Sequence, residues 1–142
     1  MTVNNINYGK NFKYIEPVNL YDCVFEDDVF IGPFVEIQND VKIGSNTRVQ
    51  SHSFICSNVT IGQHCFIGHG VMFVNDKFSN GKVNYEPPFE KITIGNNVLI
   101  GSNSTILPVS ITDNVIIGSG SVVTNNISEP GVYVGNPAKK LK

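Results

Sequence analysis

Nine large apolar residues, Phe25, Ile31, Ile37, Ile43, Val49, Ile55, Ile61, Ile67 and Phe73, follow one another at intervals of six without exception. The beat returns at Ile94, Ile100 and Ile106, and again at Ile111, Ile117 and Val123. An amphipathic helix needs apolar residues at spacings of three and four, and a half-buried strand needs alternation. A strict six satisfies neither over this length. It predicts a solenoid of short strands in which each hexad forms one face of a coil. With three hexads to a turn, residues 18 apart stack at strand spacing, about 4.8 Å.

The other hexad positions have their own grammar. Position two is often glycine (Gly32, Gly44, Gly62, Gly68, Gly95, Gly101, Gly118), which suits unusual dihedrals or a close backbone approach. Position five is small or short, as at Val29, Val35, Thr47, Ser53, Cys65, Val71, Ser104 and Ser121. One long and one small inward side chain per face fit a narrow triangular tube. The beat fails in three places. Residues 74–91 lack the repeat, are polar and contain Pro87-Pro88. A loop of that length is uncommon unless it has a function or is disordered, so it reads as an arm thrown out from one corner. The run from Ile106 to Ile111 is a residue short around Pro108, a tightened turn. Residues 128–142 leave the repeat and end on a basic tail.

The expected organisation is a single domain over 1–142, with coils at about 13–73 and 88–127, the loop at 74–91 and the tail at 128–142. A net charge of −2 points to neither nucleic acid nor an anionic membrane. The polar start and the lack of a long apolar run lead to the expectation of a cytoplasmic protein. The three cysteines have no metal or redox spacing, and Cys23 and Cys65 fall at small inward positions, where they read as packing.

The hexads cover nearly the whole chain, and Gly118-Ser119-Gly120-Ser121-Val122-Val123 is followed by Val134-Gly135-Asn136-Pro137-Ala138-Lys139. In this the chain resembles the left-handed β-helix, or hexapeptide-repeat, acyltransferases. The resemblance implies an all-β, left-handed parallel β-helix, although the hand itself cannot be read from periodicity. It also implies a homotrimer with active sites between subunits and acetyl-coenzyme A as co-substrate, with no metal. The lead Glu16-Pro17-Val18-Asn19-Leu20-Tyr21, the run Ile31-Gly32-Pro33-Phe34-Val35-Glu36-Ile37-Gln38 and the arm start Phe73-Val74-Asn75-Asp76-Lys77 are similar to those of nucleotide-amino-sugar N-acetyltransferases. Such enzymes acetylate the amine of a UDP- or dTDP-linked deoxyamino sugar for surface polysaccharide. O-acetylation of a sugar or small molecule is the alternative within the same family.

Acyl transfer to an amine needs a positioned base and donors for the developing oxyanion. His52, at position four of its hexad, should leave the tube at a corner, and the resemblance implies that it faces the acceptor as the base. His69 stacks over Ser51 and beside His52, where it would orient His52, touch substrate or simply decorate the wall. His64 stacks with Asn46 and Asp28, ordinary corner residues. Asn75 and Asp76, where the arm leaves the coil, are expected to bind the acceptor; turn initiation is the plainer reading. For the donor, the resemblance assigns Gly101, Ser102, Ser119 and Gly120 to a pantetheine groove and Asn136, Pro137 and Ala138 to the adenine. Lys139 and Lys140 would meet the 3′-phosphate as point charges, with a solvated tail as the alternative.

Two other classes share the scaffold. The γ-type carbonic anhydrases hold zinc with three histidines, but the register that would make His69 a ligand places its partner at Val74, so the ligand set is incomplete. An inert assembly solenoid is opposed by the closing signature and the long arm.

Overall fold

The computed structural model describes residues 2–142, and among them there is no helix. The chain winds as a left-handed parallel β-helix of about seven turns. Three parallel sheets form the faces of the prism. The first face runs from Val3–Asn4 through Asn19–Tyr21, Glu36–Ile37, Phe54–Ile55, Met72–Phe73 and Thr105–Ile106 to Val122–Val123. The second runs from Asn7–Tyr8 to Ser110–Ile111, and the third from Lys13–Tyr14 to Gly131–Val134, with Lys139–Lys140 added antiparallel at its end.

The six-residue beat is the core. Leu20 stacks on Ile37 and Ile37 on Ile55 along the first face. Phe25, Ile43 and Ile61 stack along the second, and Ile31, Val49 and Ile67 along the third. All of these side chains are essentially fully buried, and each such aliphatic contributes roughly 1.5–3 kcal/mol. Position five is buried too, and at Thr47 and Ser53 its hydroxyl is satisfied in both directions. The Thr47 hydroxyl donates to the Gly62 carbonyl at 2.8 Å and accepts from the Cys65 N–H at 3.1 Å. The Ser53 hydroxyl donates to the Gly68 carbonyl at 2.7 Å and accepts from the Val71 N–H at 3.2 Å.

The coil reaches further than the beat marks. It begins at Val3: Val3, Ile6 and Phe12 of the first turn pack against the core, while Tyr8 and Tyr14, in register with Phe25 and Ile31, stay exposed at the N-terminal end. Phe12 stacks on Phe25 at 4.5 Å between centroids and closes that end of the tube. At the other end Gly131–Val134 pairs with Val115–Ile117, so part of the expected tail is a strand of the third face.

The corners divide labour between two positions. Position four takes the left-handed conformation, with φ between +52° and +72° at Asn5, Asn11, Asp22, Asp28, Phe34, Asp40, Asn46, His52, Asn58, His64, Gly70, Asn97, Asn103, Asn114 and Gly120. Asn and Asp tolerate it because their short polar side chains bond locally, whereas other L-residues pay roughly 1–2 kcal/mol. The position-two glycines have ordinary φ and answer to the other requirement, close approach. A Cβ on Gly44 would stand 2.5 Å from the Gly62 carbonyl carbon of the next coil.

Burial pushes the thiols of Cys23 and Cys56 up to about 12, and that of Cys65 upward as well. All three are protonated packing elements. No helix of the described residues is long and apolar enough to cross a membrane.

Candidate active site

Each edge of the prism has its own character. Between the second and third faces runs a column of Asn11, Asp28, Asn46, His64, Asn97 and Asn114, joined by bonds such as that from the Asn11 amide to Asp28 at 3.0 Å. His64 belongs to this column. Between the first and second faces the arm leaves after Phe73 and returns at Ile92. Between the third and first faces lie Pro33, Phe34, Ser51, His52, His69, Gly70, Ser102, Asn103, Ser119 and Gly120. This histidine edge gathers His52, His69, Ser102, Ser119 and Gly120 of the expected site.

The hexad register places these residues one coil above another. The His52 N–H donates to the Pro33 carbonyl at 3.2 Å, the Gly70 N–H to Ser51 at 3.0 Å, the Asn103 N–H to His69 at 2.8 Å and the Gly120 N–H to Ser102 at 2.8 Å. Both histidine side chains are exposed. The His69 Nδ1 lies 2.9 Å from the Ser51 hydroxyl, and the His69 N–H donates to the Ser102 hydroxyl at 3.2 Å. With Nδ1 engaged, Nε2 is left to face outward. The His52 imidazole stacks on the Phe34 ring, 4.9 Å between centroids and 23° between planes.

Beside this edge, toward the C-terminal end, the third face carries a cavity of about 360 Å³. Its apolar floor is Phe66, Leu99 and Ile116, each about two-fifths exposed, and its rim is Gly101, Ser102 and Ser119. A groove with an apolar floor and backbone groups along one side suits a long, thin ligand of alternating amide and methylene groups. The tail folds over the end of the same edge: the Gly135 N–H donates to the Ser121 hydroxyl at 3.1 Å and the Ala138 N–H to the Val122 carbonyl at 2.8 Å. That puts Asn136 and Pro137 beyond Gly120. Lys139 lies opposite Val134 in the hairpin, while Lys140 is paired with Glu129 at 3.2 Å.

Asn75 and Asp76 are not brought to His52 within one chain. They sit on the arm edge, across the first face. The Asn75 amide donates to the Ser57 carbonyl at 3.1 Å and hydroxyl at 3.0 Å. Asp76 accepts from the Phe78 N–H at 2.9 Å through one oxygen and from the Asn84 N–H at 2.8 Å through the other. The turn-forming reading thus describes what Asp76 does in the isolated chain. Within the arm a cavity of about 430 Å³ is lined by Asn75, Asp76, Lys82, Asn84 and Glu90. Phe34 had no assigned role in the sequence. The signal was present, since it is an aromatic at a position that other hexads give to Asn, Asp, His or Gly. No cluster of three or more metal-ligating side chains occurs among the described residues.

A parallel β-helix built of hexapeptides, with a groove beside one edge and an arm on another, is a recognisable class of protein. The profile described as bacterial transferase hexapeptide (six repeats) matches residues 22–57, and that of the hexapeptide repeat of succinyl-transferase matches residues 91–125. Together they span half of the chain, which belongs to the hexapeptide-repeat transferase family. Protein CapG of Staphylococcus aureus is 60% identical over 55 residues, which are 38% of this chain and 32% of CapG. Among solved structures, a histidine-to-alanine mutant of GDP-perosamine N-acetyltransferase from Caulobacter crescentus, in complex with CoA and GDP-perosamine, superposes with a TM-score of 0.69 at 20% identity. That match covers 99% of this chain and 57% of the enzyme. A maltose O-acetyltransferase from Clostridium difficile matches with a TM-score of 0.57 at 24% identity, over 96% of this chain and 68% of that one. The chain thus spans about a third of CapG and little more than half of the perosamine enzyme.

Proposed function

We propose that the chain is an acetyl-coenzyme A-dependent N-acetyltransferase acting on the amine of a nucleotide-linked deoxyamino sugar, with UDP and dTDP as the first nucleotides to test. The observation that carries this reading is the alignment of His52 and His69 with the Gly101–Ser102–Ser119 groove along one edge. The perosamine enzyme, whose structure holds CoA and a nucleotide-linked amino sugar, supports the reading as a relative of the same fold.

The pantetheine arm lies in the groove with its thioester toward the histidines. Gly101, Ser102, Ser119 and Gly120 line its path, and Asn136, Pro137 and Ala138 flank the adenine. Lys139 meets the 3′-phosphate; Lys140 must first leave Glu129. The neutral amine attacks the thioester carbonyl carbon, and a backbone N–H of the edge stabilises the oxyanion. His52 takes the proton from the nitrogen as the C–S bond breaks, and the coenzyme A thiolate departs to become the free thiol. A base so placed contributes typically 10²–10⁴-fold. The arm of a neighbouring subunit in a homotrimer supplies Asn75 and Asp76 to the acceptor, because one chain cannot. Since acetyl-coenzyme A is a cytoplasmic metabolite, that compartment is the proposed one.

A second reading is O-acetylation. The Ser51–His69 hydrogen bond favours it, because an alcohol must lose its proton as it attacks and so needs an oriented base. A panel of UDP-, dTDP- and GDP-linked amino sugars with acetyl-coenzyme A, followed by thiol release, separates the two. Turnover of an amino sugar, abolished or slowed in His52→Ala, supports the first reading. Turnover of hydroxylated sugars alone overturns it.

A further inference from the structure

Phe34 is out of place on every local criterion. Its φ is +62°, in the left-handed region, where a bulky side chain is strained. The corresponding corners hold Asn, Asp, His or Gly. The ring is 49% exposed, so burial repays little of the strain. What the ring does touch is His52, one coil on, itself left-handed at φ +67°. The next residue in the column is Gly70, which carries no side chain to cover the other face of the imidazole. A side chain there would be strained at φ +65° and would have to push the Asn103 carboxamide aside. The imidazole therefore has an aromatic wall on one side and an open slot on the other.

We infer that Phe34 is a positioning residue for His52: its ring holds the imidazole in one orientation, with the free face and edge turned toward the Gly70 side, where the acceptor amine meets the thioester. This rests on the reading of His52 as the base. Among the described residues no hydrogen bond to the His52 side chain competes for its orientation, unlike the His69 imidazole, which the Ser51 hydroxyl holds. An exposed imidazole with no polar partner samples several rotamers, and stacking on a ring of fixed direction restricts them. The strained backbone of Phe34 is what aims the ring at the next coil.

The inference makes stability and activity move in opposite directions. Phe34→Asn places at this corner the residue that its counterparts use, so the melting temperature should stay level or rise. The kcat for acetyl transfer should fall by about 10–100-fold, the cost of a loosened catalytic group, with the acceptor KM little changed. Phe34→Tyr, which keeps the ring, should restore kcat. In a His52→Ala background Phe34→Asn should cost nothing further. The reaction is followed with acetyl-coenzyme A and GDP-perosamine. In parallel, the His52 ring-proton NMR signals should lose the ring-current shift of Phe34 in the Asn variant.

Unchanged His52 signals in Phe34→Asn overturn the inference whatever the activity, and they decide alone if GDP-perosamine is not turned over. Full activity of Phe34→Asn while His52→Ala is inactive also overturns it. So does an equal loss in the His52→Ala background, which would mean that Phe34 meets substrate directly, or a change in oligomeric state, which would make it an interface residue. Full activity of His52→Ala, with the ring-current shift lost as expected in Phe34→Asn, removes the base reading instead.

Discussion

Gly101 stands where coil spacing and the proposed donor groove meet, and replacing it with alanine tests both. Its φ is ordinary, so alanine is not strained there. The difficulty is space. A Cβ at residue 101 would lie 2.5 Å from the Ser119 nitrogen and 2.6 Å from its hydroxyl oxygen, whereas ordinary contact begins at 3.4 Å. The two coils must therefore part locally by roughly 1 Å, the overlap that overpacking a tight site creates. The hydrogen bonds that tie them, Gly101 N–H to Ile117 and Gly120 N–H to Ser102, are both 2.8 Å and would stretch beyond bonding distance. Two lost backbone bonds cost about 2 kcal/mol and overpacking about 1–3 kcal/mol. The stiffer unfolded chain returns about 0.4–1 kcal/mol. The net loss is about 2–4 kcal/mol, or about 5–15 °C in melting temperature at this chain length. Thermal unfolding by circular dichroism at matched protein concentration measures it. Gly120→Ala is the comparison: its Cβ would meet nothing within 4 Å, but its φ is +72°, so it pays backbone strain of roughly 1–2 kcal/mol alone. Gly101→Ala should also raise the KM for acetyl-coenzyme A by narrowing the groove. A fall below about 2 °C, under the shift expected for 1 kcal/mol, refutes the close-approach account. A fall no greater than that of Gly120→Ala would show that dihedral strain governs both glycines.

Two other outcomes follow from the side chains. Asp76→Ala frees the Phe78 and Asn84 N–H groups, so trypsin should cut the arm at Lys77 or Lys82 faster while the melting temperature of the coil barely moves; unchanged cleavage would show that the carboxylate does not hold the arm. The thiols of Cys23 and Cys56, pushed up to about 12 by burial, should resist iodoacetamide at pH 8 until the protein unfolds. Because their folded values lie above those of the unfolded chain, the stability they hold is complete below about pH 8.5 and is lost as pH rises toward 12. Urea titrations at pH 8 and 10 check the sign, and higher stability at pH 10 would contradict it.

The prism itself was legible because its core repeats. Ile31, Val49, Ile67, Ile100 and Ile117 form one stack, and a period survives in the sequence whatever the loops do. The first turn was hidden for the converse reason: Tyr8 and Tyr14 stand in register with Phe25 and Ile31 where the beat has aliphatics, and the five-residue step from Leu20 to Phe25 breaks the count. Register also separated His64 from His52 and set Ser51 under His69, as the 2.9 Å contact between them shows. What position two required, unusual dihedrals or close approach, was left open by composition, since glycine meets either need.

The sequence by itself determined the period, the inward and outward residues and the corner to which each histidine goes, because these depend only on counting along a regular coil. Tertiary structure alone decided what crosses between coils and faces. It showed Phe34 lying against His52, both oxygens of Asp76 held by the arm, Lys140 paired with Glu129, and the arm one face away from the histidines. Those facts depend on side-chain directions and on the path of irregular segments, neither of which has a period to read.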